Sequence, residues 1–292
     1  MAKISPKILI SLLILVGLLP LLVYTTRISH LLSPKAAAPT PNPFGVMTWG
    51  DTNQTKMQIA NDLGARYYRP LSVFLDSLGG SCPECDAAVT AGLKLVLTVA
   101  NNASGNPPAN LTIYKNKLTE VMNVYSPEVL VIENEENSDL FYTGTAQQYL
   151  AQLKAGCEVA HSKNIQCANG GLVSKLVVVL VSQSYLPDAG KADDYLKRAL
   201  TPDDYAAIVP WINSPPGQTQ IKRGQDLLAG YKTSGADFVN FHWYQANADT
   251  LPEAVTYLNT ASQGLSVFTN EAGQQGNTDA GQVTSFMQKT LD

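Results

Sequence analysis

Val129-Leu130-Val131-Ile132-Glu133-Asn134-Glu135-Glu136-Asn137 begins as an apolar, mostly β-branched run and ends in acids and amides. Four apolar residues bounded by Pro127 read as a buried strand, because a strand covered on both faces needs no polar alternation. Carboxylates are costly to take out of water, so several at one strand end predict a wet, chemically active mouth. A second stretch repeats the design far downstream: Leu265-Ser266-Val267-Phe268-Thr269-Asn270-Glu271-Ala272-Gly273. It too is an apolar run that ends in Asn-Glu.

Working outward, the chain alternates strands and helices. Strands are predicted at Phe44 to Trp49, from Tyr67 to Pro70, and at Lys94 to Ala100. The acid-tipped Val129 strand comes fourth, Gln166 to Asn169 fifth, Asp237 to Tyr244 sixth, and the Val267 strand seventh. Helices are expected between them, the clearest being the amphipathic Thr145 to Ser162. Leu172 to Leu186 carries a Leu-Val-Val-Val-Leu-Val core with strand propensity. A helix is preferred there, because a strand would leave no crossover after Gly171. Asp188 to Pro216 reads as a long excursion, with Thr201-Pro202 as a helix start. A last helix is expected over Ala280 to Leu291.

Repeated strand–helix units make a parallel sheet with helical crossovers. Polar and aromatic residues gather at the ends of many strands, which favours a β/α barrel over a doubly wound sheet with one switch point. No glycine-rich phosphate loop follows the first strand. The expected fold class is therefore α/β, a (β/α)8 TIM-type barrel lacking its eighth strand–helix unit. Seven strands imply a truncated chain or a barrel left open between strands seven and one.

The chain has 292 residues, 45% of them hydrophobic, and a net charge of -4. That supports one large domain with a full core. The mild acidity and the absence of basic runs argue against nucleic acid as a partner. Residues 1–27 read as a signal peptide or membrane anchor, since Lys3 and Lys7 precede an apolar run from Ile8 to Tyr24. Residues 28–43 read as a Pro/Ala-rich linker, and 44–292 as the catalytic domain. The expected location is extracytoplasmic, membrane-anchored or secreted, with the membrane a partner if the segment is uncleaved. A monomer is expected. Cys82, Cys85, Cys157 and Cys167 permit disulfides, while unpaired thiols or a metal or redox role for Cys82-Pro-Glu-Cys85 stay open. Three scattered histidines give no ligand spacing, so neither metal nor cofactor is expected.

Asn134-Glu135 on strand four, Glu271 on strand seven, His242-Trp243-Tyr244 on strand six and Arg69 on strand two stand in one order. In that order the chain resembles the large clan of retaining glycosidases on β/α barrels whose catalytic glutamates sit at the ends of strands four and seven. The resemblance runs from Phe44 onward and departs from the pattern in lacking strand eight. It implies a carbohydrate substrate, Glu135 as acid/base, Glu271 as nucleophile and Arg69 as its brace.

The chemistry asks for the same residue types. A glycosidic bond breaks through an oxocarbenium-like state, which needs one carboxylic acid to protonate the leaving oxygen and one carboxylate to attack. Arg69 and the Tyr244 hydroxyl can hold Glu271, and Asn134 can donate to the neighbouring sugar hydroxyl. Trp49 and Trp243 offer flat faces to a sugar, and His242 a sugar or carboxylate contact. Strand alternation sets Glu133 on the same face as Glu135 and makes it the rival acid. Trp211, in the excursion, either lines the cleft or anchors its helix. The expected function is an exported or membrane-tethered glycoside hydrolase acting on β-linked poly- or oligosaccharides. A non-catalytic glycan-binding barrel and a transglycosylase are the other readings.

Overall fold

The computed structural model describes residues 44–77, 81–245 and 247–273. The proposed signal or anchor, the linker and the helix expected over 280–291 lie outside the described residues. Among the described residues eight strands run in parallel: β1 (Gly45–Val46), β2 (Tyr67–Tyr68), β3 (Val73–Phe74), β4 (Lys94–Ala100), β5 (Val129–Ile132), β6 (Gln166–Asn169), β7 (Phe238–Trp243) and β8 (Ser266–Ala272). β2 pairs with the start of β4 and β3 with its end, so the two short strands make one stave. The sheet order β1-β2-β4-β5-β6-β7-β8 then gives seven staves of a nearly closed barrel.

Helices cross between the staves: α1 (Asn53–Asp62), α2 (Pro83–Thr90), α3 (Leu111–Val124), α4 (Ala146–His161), then α5 (Ser174–Ser184), α6 (Ala189–Ala199), α7 (Pro202–Ile212) and α8 (Pro215–Tyr231), and α9 (Leu251–Ala261). Four helices therefore separate β6 from β7. The excursion holds α6 and α7, each opened by a side-chain cap, Asp188 on Lys191 N–H and Thr201 on Asp204 N–H. α5 is a helix despite its valines. Every residue from Leu176 to Ser182 is buried, and burial on all sides offsets a weak helical preference.

Period two sorts the strands into an inner and an outer face. Val96, Val129, Val131 and Ala168 form a small cluster inside the barrel, with Tyr67, Phe238 and Phe268 packed on it. The alternate residues Leu95, Leu97, Leu130, Ile132, Val239 and Phe241 belong to the larger core between sheet and helices. Two disulfides staple this frame, Cys82–Cys85 at the start of α2 and Cys157–Cys167 between α4 and β6. They settle the cysteines that the sequence left open. No described helix is long and apolar enough to cross a membrane.

Candidate active site

β7 presents Phe238, Asn240 and His242 inward in succession, one layer above another. His242 is wholly buried, and its Nδ1 lies 2.9 Å from Glu135 Oε1 and 3.6 Å from Glu271 Oε2. Two carboxylates separated by 136 positions in the chain thus meet at one ring nitrogen. The two oxygens can be no farther apart than those distances laid end to end. The other ring nitrogen, Nε2, meets no hydrogen-bond partner among the described residues, so the proton of the neutral ring belongs on Nδ1, facing Glu135. Gly171 makes the ring's position possible. Its φ is 104°, and a Cβ there would stand 2.4 Å from His242 Nε2.

Glu271 reaches the lumen through an irregularity. On β7 and β8, Asn240 pairs with Phe268 but His242 pairs with Glu271, so β8 carries one residue more over the same span. This bulge lets Asn270 and Glu271 both turn inward, which strict alternation forbids. Thr269 Oγ1 accepts from Glu271 N–H and donates to Glu271 C=O, at 3.3 and 3.0 Å, and so braces the bulge. The carboxylate is held on both oxygens. Arg69 Nη2 lies 2.5 Å from Oε1, and the Tyr244 hydroxyl donates to Oε2 at 2.6 Å. Burial first and Glu271 second push the Tyr244 phenol up, so it stays a donor throughout the ordinary pH range. Arg69 also donates to Asn134 Oδ1 at 3.2 Å, which leaves the Asn134 NH2 as the group that can donate elsewhere.

Beyond Ile132 the backbone leaves the strand. Glu133 and Glu135 have φ of 66° and 43°, left-handed values that are uncommon for residues other than glycine. The turn corrects the expected placement of Glu133 beside Glu135, because alternation ends with the strand. Glu133 is 1% exposed and points away from the lumen. Its Oε1 accepts from Asn101 N–H at 2.8 Å and from the Gln152 amide on α4. Burial pushes its carboxyl up to about 7, with the Asn101 and Gln152 bonds opposing. That value suits a general acid, but geometry comes first, and Glu133 is sealed from the cleft. Glu136 is also buried, bound by Asn169 Nδ2 at 2.7 Å and by the Tyr231 hydroxyl. Glu135 alone of the three opens to the cleft, its side chain 17% exposed.

The loop that bears Glu135 is held from outside. Arg223, on α8, donates through Nη2 to the carbonyls of Glu136, Tyr142 and Gly144 at 2.7, 3.1 and 2.9 Å, and pairs with Asp139 through Nη1. Asn137 Oδ1 accepts Val173 N–H at 2.9 Å, tying the loop to the start of α5.

Trp243 requires a correction. It is fully buried in the outer core, edge-on to Phe241, and shows no face to a sugar. If His242 points into the barrel, its neighbour must point out. Trp49 lies beyond the end of β1 with 72% of its surface exposed, and Tyr244 is 37% exposed. His242, being wholly buried, touches carboxylate and not solvent.

Residues not foreseen as site residues form a polar layer below the carboxylates. Asn270 donates to Thr98 Oγ1 at 3.3 Å and exchanges bonds with Asn240, whose Nδ2 reaches Asn270 Oδ1 at 2.8 Å. Asn169 replaces missing ladder bonds where β6 and β7 diverge, accepting from Asn240 N–H at 2.6 Å and donating to Asn240 C=O at 2.9 Å. Their signal in the sequence was an amide inside each apolar strand. No group of three acids, histidines or cysteines among the described residues has metal-site geometry.

No protein-family model matches the sequence, and neither does any curated protein. Solved structures do match in fold. A GH128 (subgroup VI) exo-β-1,3-glucanase from Aureobasidium namibiae is similar at TM-score 0.50 and 11% identity, over 84% of this chain and 75% of that one. A GH128 (subgroup III) curdlan-specific exo-β-1,3-glucanase from Blastomyces gilchristii matches at TM-score 0.49 and 12% identity, over 85% and 82%. A GH128 (subgroup II) endo-β-1,3-glucanase from Pseudomonas viridiflava matches at 0.47 and 14%, over 85% and 79%. At such identities the likeness is one of fold.

Proposed function

We propose that this chain is a glycoside hydrolase that cleaves β-glycosidic bonds in poly- or oligosaccharides by a retaining double displacement. The observation that carries the reading is the meeting of Glu135 and Glu271 at His242 Nδ1, at the C-terminal end of a parallel barrel. The greatest separation those distances allow lies at the lower edge of the about 6.5–9.5 Å kept by inverting enzymes, and the about 5–5.5 Å of retaining ones fits within it.

In the first step a Glu271 oxygen attacks the anomeric carbon while the bond to the leaving oxygen breaks. Glu135 gives its proton to that oxygen and becomes a carboxylate. In the second step Glu135 takes a proton from water, the water oxygen bonds the anomeric carbon, and the ester to Glu271 breaks. Arg69 and Tyr244 hold the nucleophile in place with donors that are strongest against its ionised form. The Asn134 amide donates to the hydroxyl next to the reacting carbon, and Trp49 supplies an apolar face. His242 donates to Glu135 once that residue has lost its proton.

The first substrates to test are β-1,3-glucans, which the fold neighbours named above cleave. We assign the chain to the extracytoplasmic side, secreted or tethered through residues 1–27, a reading that two disulfides support. The test is a panel of β-glucan, mannan, xylan, galactan and aryl glycosides, run with the native chain and Glu271→Ala. Turnover that disappears with the substitution is expected; unchanged turnover overturns the assignment.

A further inference from the structure

A second concavity lies beside the site, and the mechanism does not use it. Its volume is about 330 Å³, within the range of small-ligand pockets. One wall is Ser138 and Asp139 of the loop that carries Glu135, and Ser138 N–H bonds Glu135 C=O at 2.7 Å. The pocket therefore starts a single turn away from the acid. Leu176 of α5 and Trp211 of α7 supply its apolar part, while Lys175 and Gln220 add polar groups. Trp211 packs on the core and is half-buried, so part of its surface stays open to the pocket. Gln220 Oε1 meets no donor among the described residues, and its amide torsion is soft enough to turn that oxygen toward a ligand.

We infer that this pocket is a remote subsite for a hexosyl unit on the leaving-group side of the scissile bond. The inference rests on the glycosidase reading and deepens it. Three features select that occupant. A flat indole bordered by hydroxyl, carboxylate, ammonium and amide groups suits a pyranose, which is apolar on its C–H face and hydrogen-bonding around its edge. The pocket wall at residues 137–139 belongs to the loop that carries Glu135, so a glycan chain extended past the acid has that wall within a few residues of it. The pocket also adjoins the acid's loop on the β5–β6 side, whereas the nucleophile Glu271 stands on β8. The acid protonates the departing oxygen, so sugars beyond it run toward the pocket. Because α7 belongs to the excursion between β6 and β7, this subsite is a specificity device carried by that insertion.

The test uses β-1,3-linked glucose oligomers of two to six units and an aryl β-glucoside. Trp211→Ala should leave turnover of the aryl glucoside unchanged and lower kcat/KM on the hexamer about tenfold. Trp211→Phe, which keeps a flat face, should recover most of the loss, and the exposed Lys175→Ala should cost a few-fold on the hexamer alone. Calorimetric titration with the oligomers in a Glu271→Gln background reads the subsite without hydrolysis. Affinity should climb with chain length, and Trp211→Ala should remove the climb. Equal effects on short and long substrates, or affinity independent of length with Trp211 intact, overturn the subsite. Absence of turnover on every substrate overturns the glycosidase reading instead, and the titration still decides the subsite.

Discussion

Glu133 and Glu135 differ by two positions and by everything that decides a role. Glu135 faces its partner across the lumen, and Glu133 is buried against α4 with its carboxyl raised to about 7. A carboxyl whose folded value lies above its ordinary 4.5 holds its proton in the fold after the unfolded chain has released it. Its contribution therefore falls as pH climbs from about 4.5 to about 7, by on the order of 3 kcal/mol. Glu136, raised by burial as well, adds to the trend. Glu133→Gln keeps an acceptor for Asn101 N–H and removes the ionisation. Turnover should survive it, while the drop in Tm between pH 5 and pH 8 shrinks. Glu135→Gln should do the reverse, cutting kcat at least a hundredfold on unactivated substrates with the Tm profile intact. Kinetics and thermal melts across pH read both. Resemblance favours Glu135 in the sequence, but strand alternation keeps Glu133 as its rival, because periodicity does not show that the strand ends at Ile132 in a turn with positive φ. Sequence did hold the information to exclude Trp243, since adjacent strand residues cannot both face the lumen.

At the scale of elements, the site depends on two irregularities that period-two reasoning does not see. The bulge in β8 turns Glu271 inward, and the loop after β5 projects Glu135. Propensity and spacing located the strands that bear them, and the apolar run at Leu172 was legible as a helix because topology demanded a crossover. The clamp on the Glu135 loop was not legible, because Arg223 lies 88 positions downstream on a helix face. Arg223→Met should release three carbonyls and Asp139, destabilise by about 2–3 kcal/mol, and lower kcat more than it raises KM. Hydrogen exchange should quicken over residues 136–144 before it does elsewhere. Loss of stability with kcat untouched would mean that the clamp serves only the fold.

For the whole molecule, seven parallel staves and their crossovers follow from a strand–helix rhythm plain in the sequence. The disulfide pairing did not, since spacing alone left thiols and metal open. Cys157–Cys167 closes a short loop between α4 and β6, and chain entropy assigns it about 3 kcal/mol. Cys157→Ser with Cys167→Ser should lower Tm by several degrees and leave kcat unchanged, as neither sulfur approaches the cleft; a matching loss of kcat would tie the frame to the chemistry. The central claim, two distant glutamates acting on one sugar, is tested most directly by trapping the first step. A 2-deoxy-2-fluoro-β-glucoside with a good leaving group, followed by peptide mass mapping, should place one covalent sugar on Glu271, absent from Glu271→Gln. A sugar attached to Glu133, Glu136 or any other carboxylate, or full turnover by Glu271→Gln, would contradict the account.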